Sequence, residues 1–219
     1  NSRCGKYIDQ QGLHALACGL DGGFHVMHNA IRKWAHGACE AAGLWSKMEQ
    51  VVPDWGEWRK RGNEWKYEEA HLDAVGMDAF TGLEVYVDGT CRCATAQKYL
   101  DRGSADTDGV SLIAAEKEKH KRYPDKDNKK VLCAATEYGG RLSKEFKELI
   151  DLLSKLAMRR DEARAMPLKR WDRTWLRQLS VANARSVGIL IGLSVHGRRG
   201  GDNPAFGAKG CSRGGVGAS

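Results

Sequence analysis

The sequence predicts an α/β domain, a small mixed sheet flanked by helices and followed by a helical C-terminal section, and three observations carry that expectation. Met27, Ile31, Trp34, Ala38 and Ala42 recur at three- and four-residue steps, which gathers apolar side chains on one helix face. Two β-prone runs, 72–75 and 82–90, flank the turn-rich segment Met77-Asp78-Ala79-Phe80-Thr81-Gly82 and read as a hairpin. Leu142, Phe146, Leu149, Leu153 and Leu156 form the clearest helical stripe in the chain.

Residues 1–25 are rich in Gly, Cys and His without a sustained period, the pattern of a loop-dominated knuckle ordered by metal. The helix over 27–42 is closed by Gly43, and 44–52 reads as a strand. The stretch 55–69 is charged and studded with Trp, and is expected to be a connecting arm. In the hairpin, Leu83, Val85 and Val87 alternate with Glu84, Tyr86 and Asp88. Residues 111–123 form a charged helix with Leu112, Ala115 and Lys119 along one side, ended by Pro124, and 131–136 return as an apolar strand. Trp171, Trp175 and Leu179 mark a further helix. These helical stripes are core in character, not cofactor boxes. After His196 the chain is glycine-rich, with Arg198, Arg199, Lys209 and Arg213 against Asp202. That composition predicts a disordered tail able to track a nucleic-acid backbone. The expected division is therefore a knuckle at 1–25, a core at 26–140, a helical section at 141–196 and a tail at 197–219.

Hydrophobic residues make up 42% of the 219 and charged residues 29%, enough to fold the middle of the chain around one core. The net charge of +7 points toward a polyanionic partner. The longest apolar run, 187–195, is broken by glycines and falls short of the roughly 20 residues that span a bilayer, so no membrane association is expected. The start, Asn-Ser-Arg-Cys, has no initiator Met or secretory leader, which suggests a piece of a longer polyprotein. An odd set of cysteines, Cys4, Cys18, Cys39, Cys91, Cys93, Cys133 and Cys211, is a poor disulfide framework and suits an intracellular, reducing compartment.

Two constellations carry chemistry. Cys4, His14 and Cys18, separated by nine and three residues, have a spacing that wraps one tetrahedral Zn²⁺. Ser2 stands where a fourth ligand would fall, with His25 or His28 as substitutes. The second constellation is acidic. Phosphodiester cleavage needs divalent ions held by hard oxygen ligands, and the hairpin brings Asp73 and Asp88 to adjacent strands. Glu49 adds a third oxygen from the preceding strand. Lys119, on the same helical face as Glu116, supplies an ammonium group to orient water and offset developing charge.

The order of these motifs resembles the C-terminal region of non-LTR retrotransposon polyproteins, where a Cys/His zinc knuckle precedes a restriction-like endonuclease of the PD-(D/E)xK type. The likeness spans Cys4 to about His196. It lies in Cys4-Gly5 with Asp9, Gly12, His14 and Cys18, then His28-Asn29 opening a helix that ends Ala41-Ala42-Gly43, then Glu49. It continues through Leu72-Asp73, Thr81-Gly82, Val87-Asp88-Gly89-Thr90, Glu116 to Lys119 with Tyr123, and Glu137-Tyr138-Gly139-Gly140-Arg141-Leu142. The resemblance implies a restriction-endonuclease-like core that holds Mg²⁺ or Mn²⁺ on Asp73 and Asp88 with Glu49 assisting. Lys119 takes the lysine role, because the usual strand position holds Thr90. It implies nicking of DNA, nuclear when the target is genomic, so that a reverse transcriptase domain of the same polyprotein primes from the free 3′ end; RNA is expected as a further partner from the basic tail instead. Glu137 fits a packing or capping role. Leu72 replaces the family's Pro, Ser2 a zinc cysteine, and Gly89 a β-branched strand residue, and a strand-interior Gly is expected to loosen the hairpin, as in a decayed copy. The alternative is a non-catalytic nucleic-acid-binding module.

Overall fold

The computed structural model describes residues 23–161 and 168–196. The fold is mixed α/β, with a four-stranded sheet flanked by helices. Its first element, α1 (Gly23–Ala41), starts a turn earlier than the apolar period alone suggests and stops just before Gly43. Met27, Ile31, Trp34, Ala35, Ala38 and Cys39 line its buried face. The sheet is built from β1 (Trp45–Val51), β4 (His71–Met77), β5 (Glu84–Arg92) and β6 (Val131–Glu137), in the order β1-β4-β5-β6. β1 and β5 both run antiparallel to β4, while β6 lies parallel to β5. A parallel neighbour needs a crossover, and α3 (Val110–Arg122), preceded by the short α2 (Gln97–Leu100), supplies it.

The two faces of the sheet bury different clusters. α1 shares one core with Ala74, Val85, Val87 and Ala134 of the sheet and with Phe146, Leu149 and Leu153 of α4 (Lys144–Asp161). α5 (Leu168–His196) closes this layer: Trp34 packs edge-on against Phe146 at 5.0 Å and Trp175 at 6.1 Å, and its indole N–H donates to the Trp175 carbonyl at 2.8 Å. On the other side, Leu112 and Ala115 of α3 pack with Cys133 and Ala135. Removing such side chains from water at about 25 cal/mol per Å² is the main force holding the layers together.

The segment expected to be a connecting arm is a β-ribbon. A 3-10 turn at Pro53–Trp55 leads into β2 (Glu57–Arg61), which pairs antiparallel with β3 (Glu64–Glu68) as a separate two-stranded sheet. Trp55 anchors its base. The ring packs against Tyr86 at 5.2 Å and Tyr123 at 6.1 Å, and its N–H donates to the Pro124 carbonyl at 2.7 Å.

Among the described residues, no helix is long and apolar enough to cross a membrane. Cys39, Cys91, Cys93 and Cys133 are free and buried, and burial pushes the Cys39, Cys91 and Cys133 thiols up to about 12. At neutral pH those three thiols stay protonated.

Candidate active site

Asp73 and Asp88 meet because strand pairing ends beside them. The β4–β5 ladder runs from Met77↔Glu84 to Ala74↔Val87 and stops there. Both carboxylates follow immediately, where the strands part, and the Gly89 amide donates to Asp73 Oδ2 at 2.6 Å. From α1, His28 Nε2 approaches Asp73 Oδ1 at 2.9 Å; from α3, Lys119 Nζ donates to Asp88 Oδ2 at 2.5 Å. Each acid is thus paired with a base from a different layer. Asp73 is 6% exposed and Asp88 4%, so neither charge is eased by bulk water.

Burial pushes the Asp88 carboxyl up to about 6, against the pull of the Lys119 ammonium and with the help of the Asp73 charge. Burial acts on Asp73 in the same direction, but the His28 imidazole, the Asp88 carboxyl and the Gly89 amide together hold it below the ordinary carboxylate range. His28 is raised, chiefly by its hydrogen bond to Asp73 and against the effect of burial. Two linked acids with opposite shifts titrate as one unit. Tyr123, at the end of α3, stands in the same field: burial first, then the Asp88 charge, keep its phenol protonated.

No family model matches this chain, and no curated protein does. What the site can do is read from its atoms. Among the described residues, no three His, Cys, Asp or Glu side chains form a group able to hold a metal ion. The Asp73–Asp88 pair still suits a hard divalent cation. It offers oxygen donors whose mutual repulsion a cation would relieve, and magnesium is commonly held by one or two carboxylates with water and phosphate oxygens completing its shell.

Of the sequence-predicted residues, Asp73, Asp88 and Lys119 come together. Glu49 faces Asp73 across β1, between the pairs Met48↔Ala74 and Gln50↔Leu72, in a left-handed conformation with φ +51. Such a non-glycine residue stores strain of about 1–3 kcal/mol, which clusters at functional sites. Its carboxylate, however, is taken by Arg32 and largely exposed. Glu116 is committed to a different contact, its carboxylate accepting the Glu145 amide at 3.0 Å in the first turn of α4. There Glu145 binds His120 at 2.6 Å, Lys130 at 3.1 Å and the Cys133 amide at 2.9 Å, a network tying α3, β6 and α4. Glu137 is buried and accepts the Ser111 hydroxyl at 2.6 Å, in keeping with a packing role. Cys4, His14 and Cys18 lie outside the described residues, as does the basic tail.

His28 is the residue that the sequence places elsewhere, as a substitute zinc ligand. The structure puts it on Asp73. Its signal is its register: His28 and Arg32 sit one turn apart along the edge of the α1 apolar stripe, and both end on acids of the sheet.

Gly89 has a packing use that its strand propensity does not show. A Cβ at this position would lie 2.8 Å from Ile31 Cγ2 and 3.2 Å from Asp73 Oδ2. The glycine lets α1 and the Asp73 carboxylate close onto the strand just beyond the point where β4–β5 pairing ends. Gly89→Val is expected to destabilise the domain by about 1–3 kcal/mol through overpacking, read as a lower urea midpoint, and an unchanged midpoint would contradict this fit.

Proposed function

We propose that the domain is a divalent-metal-dependent DNA endonuclease that nicks target DNA for a non-LTR retrotransposon, built on a restriction-endonuclease-like core. The observation that carries this reading is the buried Asp73–Asp88 pair at the parting of β4 and β5 with the Lys119 ammonium on it. Asp73 and Asp88 would hold Mg²⁺ or Mn²⁺. When bound, such an ion lowers the pKa of an attacking water and neutralises charge gathering on phosphorus. Lys119 keeps an ammonium beside Asp88, where it orients water and offsets charge on the phosphoryl oxygens. His28 and the Gly89 amide fix the Asp73 carboxylate from two sides, so that it presents one orientation.

In this reading DNA is the substrate and a reverse transcriptase domain of the same polyprotein the neighbour, with RNA as a further partner and the nucleus as the place of action on genomic DNA. Zn²⁺ on Cys4, His14 and Cys18 belongs to the same proposal. A second reading, a nucleic-acid-binding module that does not cut, is favoured by the hold of Arg32 on Glu49, which leaves the pair without a third carboxylate among the described residues.

The test is conversion of supercoiled plasmid to open circle by the purified chain. Nicking is expected with Mg²⁺ or Mn²⁺ and is expected to stop with EDTA. Retention of plasmid in a gel-shift assay without nicking under either metal selects the binding module instead.

A further inference from the structure

The β2–β3 ribbon divides its residues by chemistry. In strands, alternate residues share a face and directly opposed residues share it too. Glu57, Arg59 and Arg61 lie on one face with Glu64, Lys66 and Glu68, and each finds a partner there. Arg59 Nε donates to Glu57 at 2.7 Å and lies 3.5 Å from Glu68; Arg61 Nε donates to Glu68 at 2.8 Å; Lys66 is 3.3 Å from Glu64. The register Trp58↔Tyr67 and Lys60↔Trp65 sets three aromatic rings and one lysine on the other face. Trp58 and Trp65 are each 64% exposed and Tyr67 46%, with Trp58 and Tyr67 centroids 5.5 Å apart. Among the described residues Lys60 has no acidic partner.

We propose that this face, Trp58, Lys60, Trp65 and Tyr67, is a stacking platform for an unpaired nucleic-acid strand. Large exposed rings on a projecting ribbon are costly in water unless something covers them, and this face offers no aliphatic side chain for a protein core to pack on. Rings with a neighbouring free ammonium match a base face joined to a phosphate. The rings are open only to bases that are not already stacked in a duplex. Positive charge also lies beside the ribbon. Glu68 is lowered in part by Arg122, and Arg59 is raised in part by Tyr123, so the ion-paired face of the ribbon stands close to the end of α3 and the ring face is turned away from it. The last turn of that helix carries Lys119, His120, Lys121 and Arg122. The platform is also held at its base. A Cβ on Gly56 would fall 2.0 Å from the Tyr67 hydroxyl, so the tyrosine closes over bare backbone there.

The ligand class rests on the nucleic-acid reading above, but the platform does not depend on the cutting chemistry. The experiment is fluorescence anisotropy of a labelled oligo-dT and of a duplex of equal length with the full chain, in EDTA at fixed ionic strength. Trp58→Ala with Trp65→Ala is expected to weaken oligo-dT binding about thirtyfold, with duplex binding changed less than about threefold. Trp58→Phe with Trp65→Phe keeps most of the affinity, because the π-faces remain. Both pairs change exposed side chains, and circular dichroism checks that they fold as the parent does. The proposal is overturned if the parent does not bind oligo-dT, or if the alanine pair binds it within about threefold of the parent. It is also overturned if duplex binding falls equally, or if phosphatidylserine vesicles lose binding to the alanine pair while oligo-dT does not. A chain that binds through its rings yet never nicks keeps the platform and loses the endonuclease. One that nicks with an indifferent ribbon does the opposite.

Discussion

Asp88→Ala is expected to cut plasmid nicking by about three orders of magnitude or more and to leave the domain folded. An ion held by this pair supplies several kcal/mol of charge stabilisation to phosphodiester cleavage, and each 1.36 kcal/mol is a tenfold change in rate. The fold is not at stake, because the Asp88 carboxylate is bonded to Lys119, whose long stem can carry the freed ammonium into water. Lys119→Met is expected to cost about a hundredfold, the effect of removing one preorganised charge from a site while its carboxylates remain. Glu116→Gln serves as the contrast. Glu116 accepts the Glu145 amide, a bond that glutamine also makes through its carbonyl oxygen, so nicking should persist near the parental rate. Nicking that survives Asp88→Ala refutes the assignment of this pair, and nicking lost in Glu116→Gln would move the chemistry toward α4.

The same contrast shows what is legible in the sequence. Where period and turn chemistry act locally, expectation and structure agree: the α1 stripe, the hairpin around Asp78 and Gly82, the α3 helix ended before Pro124 and the α4 stripe all form. The meeting of Asp73, Asp88 and Lys119 is legible too, because it needs only a hairpin and one crossover helix. Glu49 and Glu116 are not separable from them by type or spacing. Arg32 and the Glu145 amide claim them, and neither contact follows from residue type or spacing alone. The ribbon escapes a sequence reading for another reason. Its alternation places rings on one face and ion pairs on the other, with no buried side to mark it as a strand, so the hydrophobic period that reveals other strands is absent. For Gly89 the sequence shows the propensity cost of a strand-interior glycine, while the closeness of Ile31, a residue 58 positions away, is visible only in the fold.

In metal-free buffer at pH 8, Asp88→Asn is expected to make the protein more stable than the wild type. Asp88 is raised to about 6 from an ordinary 3.8, with burial as the largest cause. An acid raised on folding holds its proton more tightly in the folded chain than in the unfolded one. Below pH 3.8 both states are protonated and the group costs nothing. Between pH 3.8 and about 6 the unfolded chain ionises first, so stability falls as pH rises, and above about 6 the full cost remains. At 1.36 kcal/mol for each tenfold change in proton affinity, that cost is on the order of 2–3 kcal/mol. The asparagine removes the charge and keeps the shape, so its gain in Tm should be largest at pH 8 and shrink toward zero as pH falls through 6 to 4. Asp73, held low by His28, Asp88 and Gly89, runs the other way: its contribution is present above its unfolded value and is lost in acid, so acid should still unfold both forms. Mg²⁺ or Mn²⁺ separates a structural pair from a metal site. Each ion should raise the Tm of the wild type at pH 8 and do much less for Asp88→Asn, since a cation relieves only a repulsion that exists. An asparagine variant no more stable than the wild type at pH 8 would mean that Lys119 and His28 already neutralise the pair, leaving no electrostatic reason for a cation to bind there.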